Sequence, residues 1–236
     1  MVGQDALIER VIIGLLADGH ILLEGVPGLA KTLLIKTLSQ AIHADFSRIQ
    51  FTPDLLPADL IGTQIYNPRT SEFTVHQGPI FANIILADEV NRAPAKVQSA
   101  LLECMQERQV TIGDHTFPLS TLFLVLATQN PIELEGTYPL PEAQIDRFTF
   151  KVLVDGVDSE TLAEIITTRQ HGQTPELDVV CSAEELSELF EIVDRVHLPR
   201  AVAGYIARLV GATHPADPGS PEPVQQFVRY GASPRA

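Results

Sequence analysis

The chain of 236 residues has no tryptophan, two cysteines and two methionines, and aromatic residues make up 6%. Cys104 and Cys181 are far apart and each lies in a helix-like stretch, so they read as reduced thiols rather than a disulfide framework. Basic residues are scarce, with 16 Lys and Arg against 30 Asp and Glu and a net charge of −14. That balance argues against a general nucleic-acid binder, which carries a basic patch or stripe. No apolar run reaches the length of a membrane span, because Asp18 and His20 interrupt the longest stretch, 11–23. No basic start followed by an apolar segment marks a secretory leader. A cytoplasmic, soluble chain is therefore expected. The seven histidines show no paired spacing of metal ligands, and His76 and His115 fall in hairpins as surface residues. Glu184, Glu188 and Glu191 share one helix face and read as a solvated face. There is no internal repeat.

What remains is ordinary globular composition, 45% hydrophobic and 19% charged, enough for a packed core in one or two domains. One stretch stands out: Gly25-Val26-Pro27-Gly28-Leu29-Ala30-Lys31-Thr32. The apolar Ile21-Leu22-Leu23 precedes it as a buried strand, and residues 33–38 follow on a helical spacing. A glycine-rich turn between strand and helix presents backbone N–H groups at a helix N-terminus, the environment that phosphate oxygens need. Lys31 then reaches the β- and γ-phosphates, and the Thr32 hydroxyl ligates Mg²⁺. The pattern asks for glycine where Ala30 stands, so Ala30 needs negative φ. Taken alone, the octapeptide is also compatible with a strand–helix turn that binds nothing.

The remainder reads as an α/β domain and a helical one. Asp5–Leu16 is an amphipathic helix with Leu7, Val11, Ile12 and Leu15 on its core spacing. Strands are expected at 20–24, 46–51, 83–87, 122–128 and 147–154, in a parallel sheet. Pro53 and Pro57 read as breakers, and Gly78-Pro79 as the start of a helix. Residues 62–66 and 72–75 form one hairpin, and 109–119 another, turning at Gly113-Asp114. Pro94 opens a helix that ends near Arg108. A domain boundary is expected near Asp155-Gly156. Beyond it come helices at 159–170, 183–196 and 200–211, then a proline-rich loop. Ser233-Pro234 reads as a helix start, so the chain is expected to be cut inside its second domain.

Asp88-Glu89 ends an apolar strand, where α/β sheets bind ligands. Taken alone the pair reads equally as a helix cap; coupled to the phosphate loop upstream, Asp88 is placed to hold Mg²⁺ directly or through water, and Glu89 to polarise a water against the γ-phosphate. Asn130, after the next strand, reads either as an amide that orients that water or as a turn residue before Pro131. Arg147 reads as transition-state charge supplied to a neighbouring subunit, or as a surface arginine paired with Asp146. Arg235 is another cationic candidate. Arg92 reads as an interface residue or a loop arginine. Phe73 and Val75, on the first hairpin, either grip a partner or pack locally.

These motifs together resemble the AAA+ ATPases and, within them, the MoxR family. Residues 25–32 resemble Walker A, Ile84-Ile85-Leu86-Ala87-Asp88-Glu89 resembles Walker B, and Asn130 sensor 1. Arg147 resembles the arginine finger, and Arg235 in Gly-Ala-Ser-Pro-Arg resembles sensor 2. Val2-Gly3-Gln4 is similar to the segment near the adenine, and the first hairpin to the insert in helix 2. Ala30 fits MoxR loops of the form Gly-Leu-Ala-Lys-Thr. The resemblance implies a P-loop core over 1–155, an incomplete helical lid over 156–236, and ATP and Mg²⁺ as cofactors. It implies a homo-oligomeric ring, commonly a hexamer, that hydrolyses ATP at subunit interfaces. It also implies chaperone-like work with a von Willebrand factor A domain protein on a client protein complex. The alternatives are a nucleotide-dependent binding switch without significant hydrolysis, and a chelatase-like or DNA-acting motor subunit. Glu89 discriminates against the pure switch, which has little need of a base.

Overall fold

The computed structural model describes residues 3–25, 31–131, 137–154, 156–168 and 177–233. Its centre is a five-stranded, all-parallel sheet. The strands are β1 (Ile21–Glu24), β2 (Phe46–Gln50), β5 (Ile84–Asp88), β8 (Leu124–Gln129) and β9 (Phe150–Leu153), in the order β2-β5-β8-β1-β9. Side chains alternate across a strand, so each strand feeds two cores. Leu22, Ile85, Ala87, Val125 and Ala127 join one buried cluster. Ile21, Leu23, Ile84, Leu86, Leu124 and Leu126 join the other. Both faces are covered, which is why these strands are nearly continuous apolar runs.

Helix α1 (Asp5–Leu16) buries Leu7, Val11, Gly14 and Leu15. Ile12, expected in the core, is 42% exposed. Gly14 takes the inward place because it lies against Ile21, where a Cβ would come within 2.6 Å of that side chain. Helix α2 (Lys31–Ala41) packs Leu34 and Ile35 into the same cluster. Helix α4 (Ala95–Glu107) packs Val97, Leu101, Leu102 and Met105 on the opposite face. His20 ties the two layers: its ring bonds the Met105 carbonyl at 3.2 Å and accepts from the Val125 N–H at 3.1 Å.

Two antiparallel hairpins leave this core: β3 (Gly62–Asn67) with β4 (Glu72–Gln77), and β6 (Gln109–Ile112) with β7 (His115–Pro118). Gly62 has φ +105°, and a side chain there would meet the His76 carbonyl.

The structure corrects several sequence expectations. Pro57 does not break the chain but opens α3 (Pro57–Ile61). Proline at a first helical turn has no N–H to lose. Asp59 Oδ2 accepts from the Leu56 N–H at 2.8 Å and secures that start. No helix begins at Gly78-Pro79; turns occupy this stretch, with Ile80 fully buried and its N–H bonded to the Leu60 carbonyl at 3.2 Å. Short α5 (Glu142–Ile145) precedes β9, which starts at Phe150 rather than 147.

Helices α6 (Ser159–Thr168) and α7 (Ala183–Asp194) follow. Leu186 of α7 is buried in the cluster that α1 and α2 line. The chain divides into compact units Met1–Phe190 and Glu191–Ala236. Asp155, at the expected boundary, lies outside the described residues. The second unit contains α8 (Arg200–Gly211) and α9 (Glu222–Phe227). Helix α9 falls in the stretch read as a loop; Pro221 caps it and Pro223 sits in its first turn. The Ser220 hydroxyl donates to the His214 carbonyl at 2.6 Å, and the Ala232 N–H donates to Thr213 Oγ1 at 2.8 Å. No helix among the described residues is long and apolar enough to cross a membrane.

Candidate functional site

The C-terminal ends of β1, β2, β5 and β8 lie side by side, and the candidate residues collect there. Gly25 continues β1 by donating its N–H to the Gln129 carbonyl at 3.2 Å. Its missing side chain matters, because a Cβ would run into the Val154 carbonyl. Residues Val26, Pro27, Gly28, Leu29 and Ala30 lie outside the described residues. Lys31 opens α2 and turns its Nζ back to donate to the Gly25 carbonyl at 2.8 Å. Burial lowers its pKa, while the nearby carboxylates of Asp88 and Glu89 push the other way. Thr32, next on the helix, is exposed.

Gly3 and Gln4 stand at the start of α1, with φ +71° at Gly3. Gly3 packs tightly on Thr161 of α6, where a Cβ would meet the threonine methyl.

Asp88 closes β5, and Glu89 turns the chain away with left-handed backbone, φ 56° and ψ 51°. Such a conformation is uncommon for a residue with a side chain and marks a constrained turn. Thr128 of β8 holds it. Its hydroxyl donates to Asp88 Oδ1 at 2.7 Å and accepts from the Glu89 N–H at 2.8 Å. On the other side stands β2. Arg48 Nη2 and Nε reach Asp88 Oδ2 at 2.6 and 3.2 Å. The same Nη2 donates to Gln50 Oε1 at 2.9 Å, and Gln50 Nε2 donates to Glu89 Oε2 at 3.1 Å. Arg92 Nη1 also pairs with Glu89 Oε2 at 3.2 Å.

Asn130 is buried just beyond β8. Its carbonyl accepts from Asn91 Nδ2 at 3.3 Å, while the Asn91 carbonyl accepts from the Tyr138 N–H at 2.6 Å. Gln98 Nε2 adds a bond to the Tyr138 carbonyl at 2.8 Å. The chain leaving Asn130 and the chain returning at Tyr138 are thus tied to the turn after Glu89. Among the described residues, Asn91 Oδ1 and Gln129 Oε1 are buried and meet no hydrogen-bond partner.

Arg147 stands apart from this cluster. It lies in the turn after α5, and its Nη1 donates to the Leu102 carbonyl of α4 at 3.0 Å. It lines a cleft of about 550 Å³ with Ser99, Glu103, Gln106, Glu107 and Gln144, none of which belongs to the Asp88–Glu89 group. Arg235 lies outside the described residues.

Arg48, Gln50, Thr128 and Asn91 escaped the sequence reading. Thr128 carried the one available signal, two residues before Asn130 at the end of an apolar strand. The donors present suit a magnesium ion held mainly by water and phosphate: one carboxylate, Asp88, and one exposed hydroxyl, Thr32. Among the described residues no three His, Cys, Asp or Glu side chains group together for a metal ion.

Comparisons with known proteins fit this geometry. The model of the ATPase family associated with various cellular activities (AAA) matches residues 20–150. The chain is 52% identical to chaperone MoxR1 of Mycobacterium tuberculosis over all 236 residues, and spans 62% of that relative's length. It is 44% identical to the uncharacterised protein YeaC of Bacillus subtilis, covering all of this chain and 71% of that one. A crystal structure of a candidate ATPase from Cytophaga hutchinsonii matches with a TM-score of 0.88 and 53% identity, over 100% of this chain and 72% of that one. The parallel sheet and its connections are therefore those of an AAA+ P-loop ATPase. Within that class, the chain belongs to the MoxR family.

Proposed function

We propose that this chain binds ATP with Mg²⁺ and hydrolyses it, as the motor of a chaperone-like MoxR protein. The observation that carries the reading is the Asp88–Glu89 turn, pinned by Thr128 at the C-terminal edge of the sheet beside half-buried Lys31. In this reading residues 25–32 cradle the phosphates, and Gly3 and Gln4 flank the adenine. Lys31 aims its ammonium at the β- and γ-phosphates. Thr32 and Asp88 would hold Mg²⁺, which neutralises phosphate charge. Glu89 accepts a proton from the attacking water, and Asn130 orients that water. Arg147 serves a neighbouring subunit's nucleotide, in keeping with its position on a separate cleft of α4. Arg235 supplies charge from the helical lid.

The same reading places the nucleotide domain at 1–155 and the lid from 156 onward. It makes the assembly a cytoplasmic homo-oligomeric ring, six-fold by family habit, working with a von Willebrand factor A domain protein on a client complex. The net charge of −14 supports a protein client over nucleic acid.

One observation favours a second reading, a nucleotide-dependent switch with little hydrolysis. Glu89 Oε2 is engaged by both Gln50 and Arg92, which occupies one oxygen of the base and sets a positive charge against it. Measuring Mg-dependent phosphate release by the parent and by Glu89→Gln separates the two. Loss of turnover with retained nucleotide binding is expected for hydrolysis through Glu89. A parent that binds ATP without turnover, alone or with its client, supports the switch.

A further inference from the structure

We infer that Arg48 is a positioning residue that competes with the divalent cation for Asp88. This rests on the proposed role of Asp88 as a magnesium ligand. The geometry shows why an arginine on β2 can do this. Gln50 pairs with Asp88 in the parallel register, and Arg48 lies two residues earlier, on the same side of the strand. Its long side chain runs forward to the carboxylate. Nε and Nη2 converge on one oxygen, Oδ2, while Thr128 takes the other. All three of these donors engage a single carboxylate that is only 18% exposed. The Nη2 bond to Gln50 Oε1 fixes the direction from which the guanidinium arrives.

A carboxylate offers about four lone-pair sites. Three are taken here, and a full positive charge sits against Oδ2. A divalent ion, or a water in its shell, must share Asp88 with that charge or displace it. Arg48 is 48% exposed at its side chain, so it can leave into solvent without stranding a buried cation. Asp88 keeps Thr128 when Arg48 departs. The pair therefore neutralises Asp88 while no metal is bound, and makes metal binding an exchange of one cation for another.

The test compares fluorescent ADP binding in Mg²⁺ with binding in chelator, for the full chain and its variants. Arg48→Ala should raise the Mg²⁺-dependent gain in affinity about tenfold over the parent's, the scale of one nearby unit charge in partly screened surroundings. Arg48→Lys keeps the charge and should stay nearer the parent than alanine does. In the metal-free state Arg48→Ala should melt at lower temperature than the parent, and the gap should close with Mg²⁺ and ADP. An unchanged or smaller Mg²⁺-dependent gain in Arg48→Ala would overturn the inference while the proposed function stands. An Arg48→Lys variant identical to alanine would overturn the competition of charges. A parent that binds no ADP under either condition would overturn the proposed function and this inference with it.

Discussion

The hydroxyl of Thr128 donates to Asp88 Oδ1 at 2.7 Å. Thr128 Oγ1 in turn accepts from the Glu89 N–H at 2.8 Å. One buried threonine thus sets both the carboxylate that ends β5 and the left-handed turn that follows. Thr128→Val keeps the shape and removes the hydroxyl. It leaves the Glu89 N–H without its acceptor and Asp88 Oδ1 without its donor, while Arg48 still holds Oδ2. An unmade buried hydrogen bond costs about 1–3 kcal/mol. Urea denaturation should show a loss of that order, with nucleotide turnover reduced while the protein remains folded.

Lys31→Ala removes the ammonium held 2.8 Å from the Gly25 carbonyl. Nucleotide binding should fall below detection in calorimetry, with the far-ultraviolet dichroism unchanged. Parental affinity in this variant would remove Lys31 from the proposed phosphate site.

His20 gives the fold a defined response to acid. Burial holds its pKa down to about 4, against an ordinary value of 6.5. The folded ring stays neutral, bridging Met105 and Val125, while the unfolded ring protonates near 6.5. Below 6.5 the unfolded state binds the extra proton, so stability falls with pH and this loss levels off near 4. The full effect is about 3 kcal/mol. His20→Gln should flatten that part of the profile from pH 7 to pH 4, with carboxylate titration left as background. Equal slopes for parent and variant would contradict the neutral bridge.

The sheet was legible because parallel strands buried on two faces leave little but apolar residues, as in Ile84-Ile85-Leu86-Ala87. The Asp88-Glu89 and Lys31-Thr32 pairs were legible as local motifs. Prolines misled: Pro57, Pro221 and Pro223 belong to short helices that their missing N–H groups suit, yet proline also breaks helices. The partners of the acidic pair were hidden for a different reason. Arg48 and Thr128 each lie forty residues from Asp88, and only strand register brings them to it. A parallel sheet encodes such neighbours in its order, which no short-range pattern reveals. Ile12 was misassigned because helical spacing cannot foresee that Gly14 takes the closest approach to Ile21.

In the proposed function, Glu89 acts on a nucleotide completed by Arg147 of a neighbouring subunit. In the chain itself Arg147 bonds the Leu102 carbonyl and lines its own cleft, away from Glu89. Removing such an arginine costs on the order of 10³–10⁵ in turnover. Glu89→Gln and Arg147→Ala should each bind ATP and fail to turn it over. The decisive measurement titrates one inactive variant into the other on the full-length protein, with phosphate release as readout and subunit exchange followed by fluorescence. Partial activity at intermediate ratios, rising with protein concentration, is the predicted result. Confirmed exchange with no activity at any ratio, or full activity of Arg147→Ala alone, would contradict it.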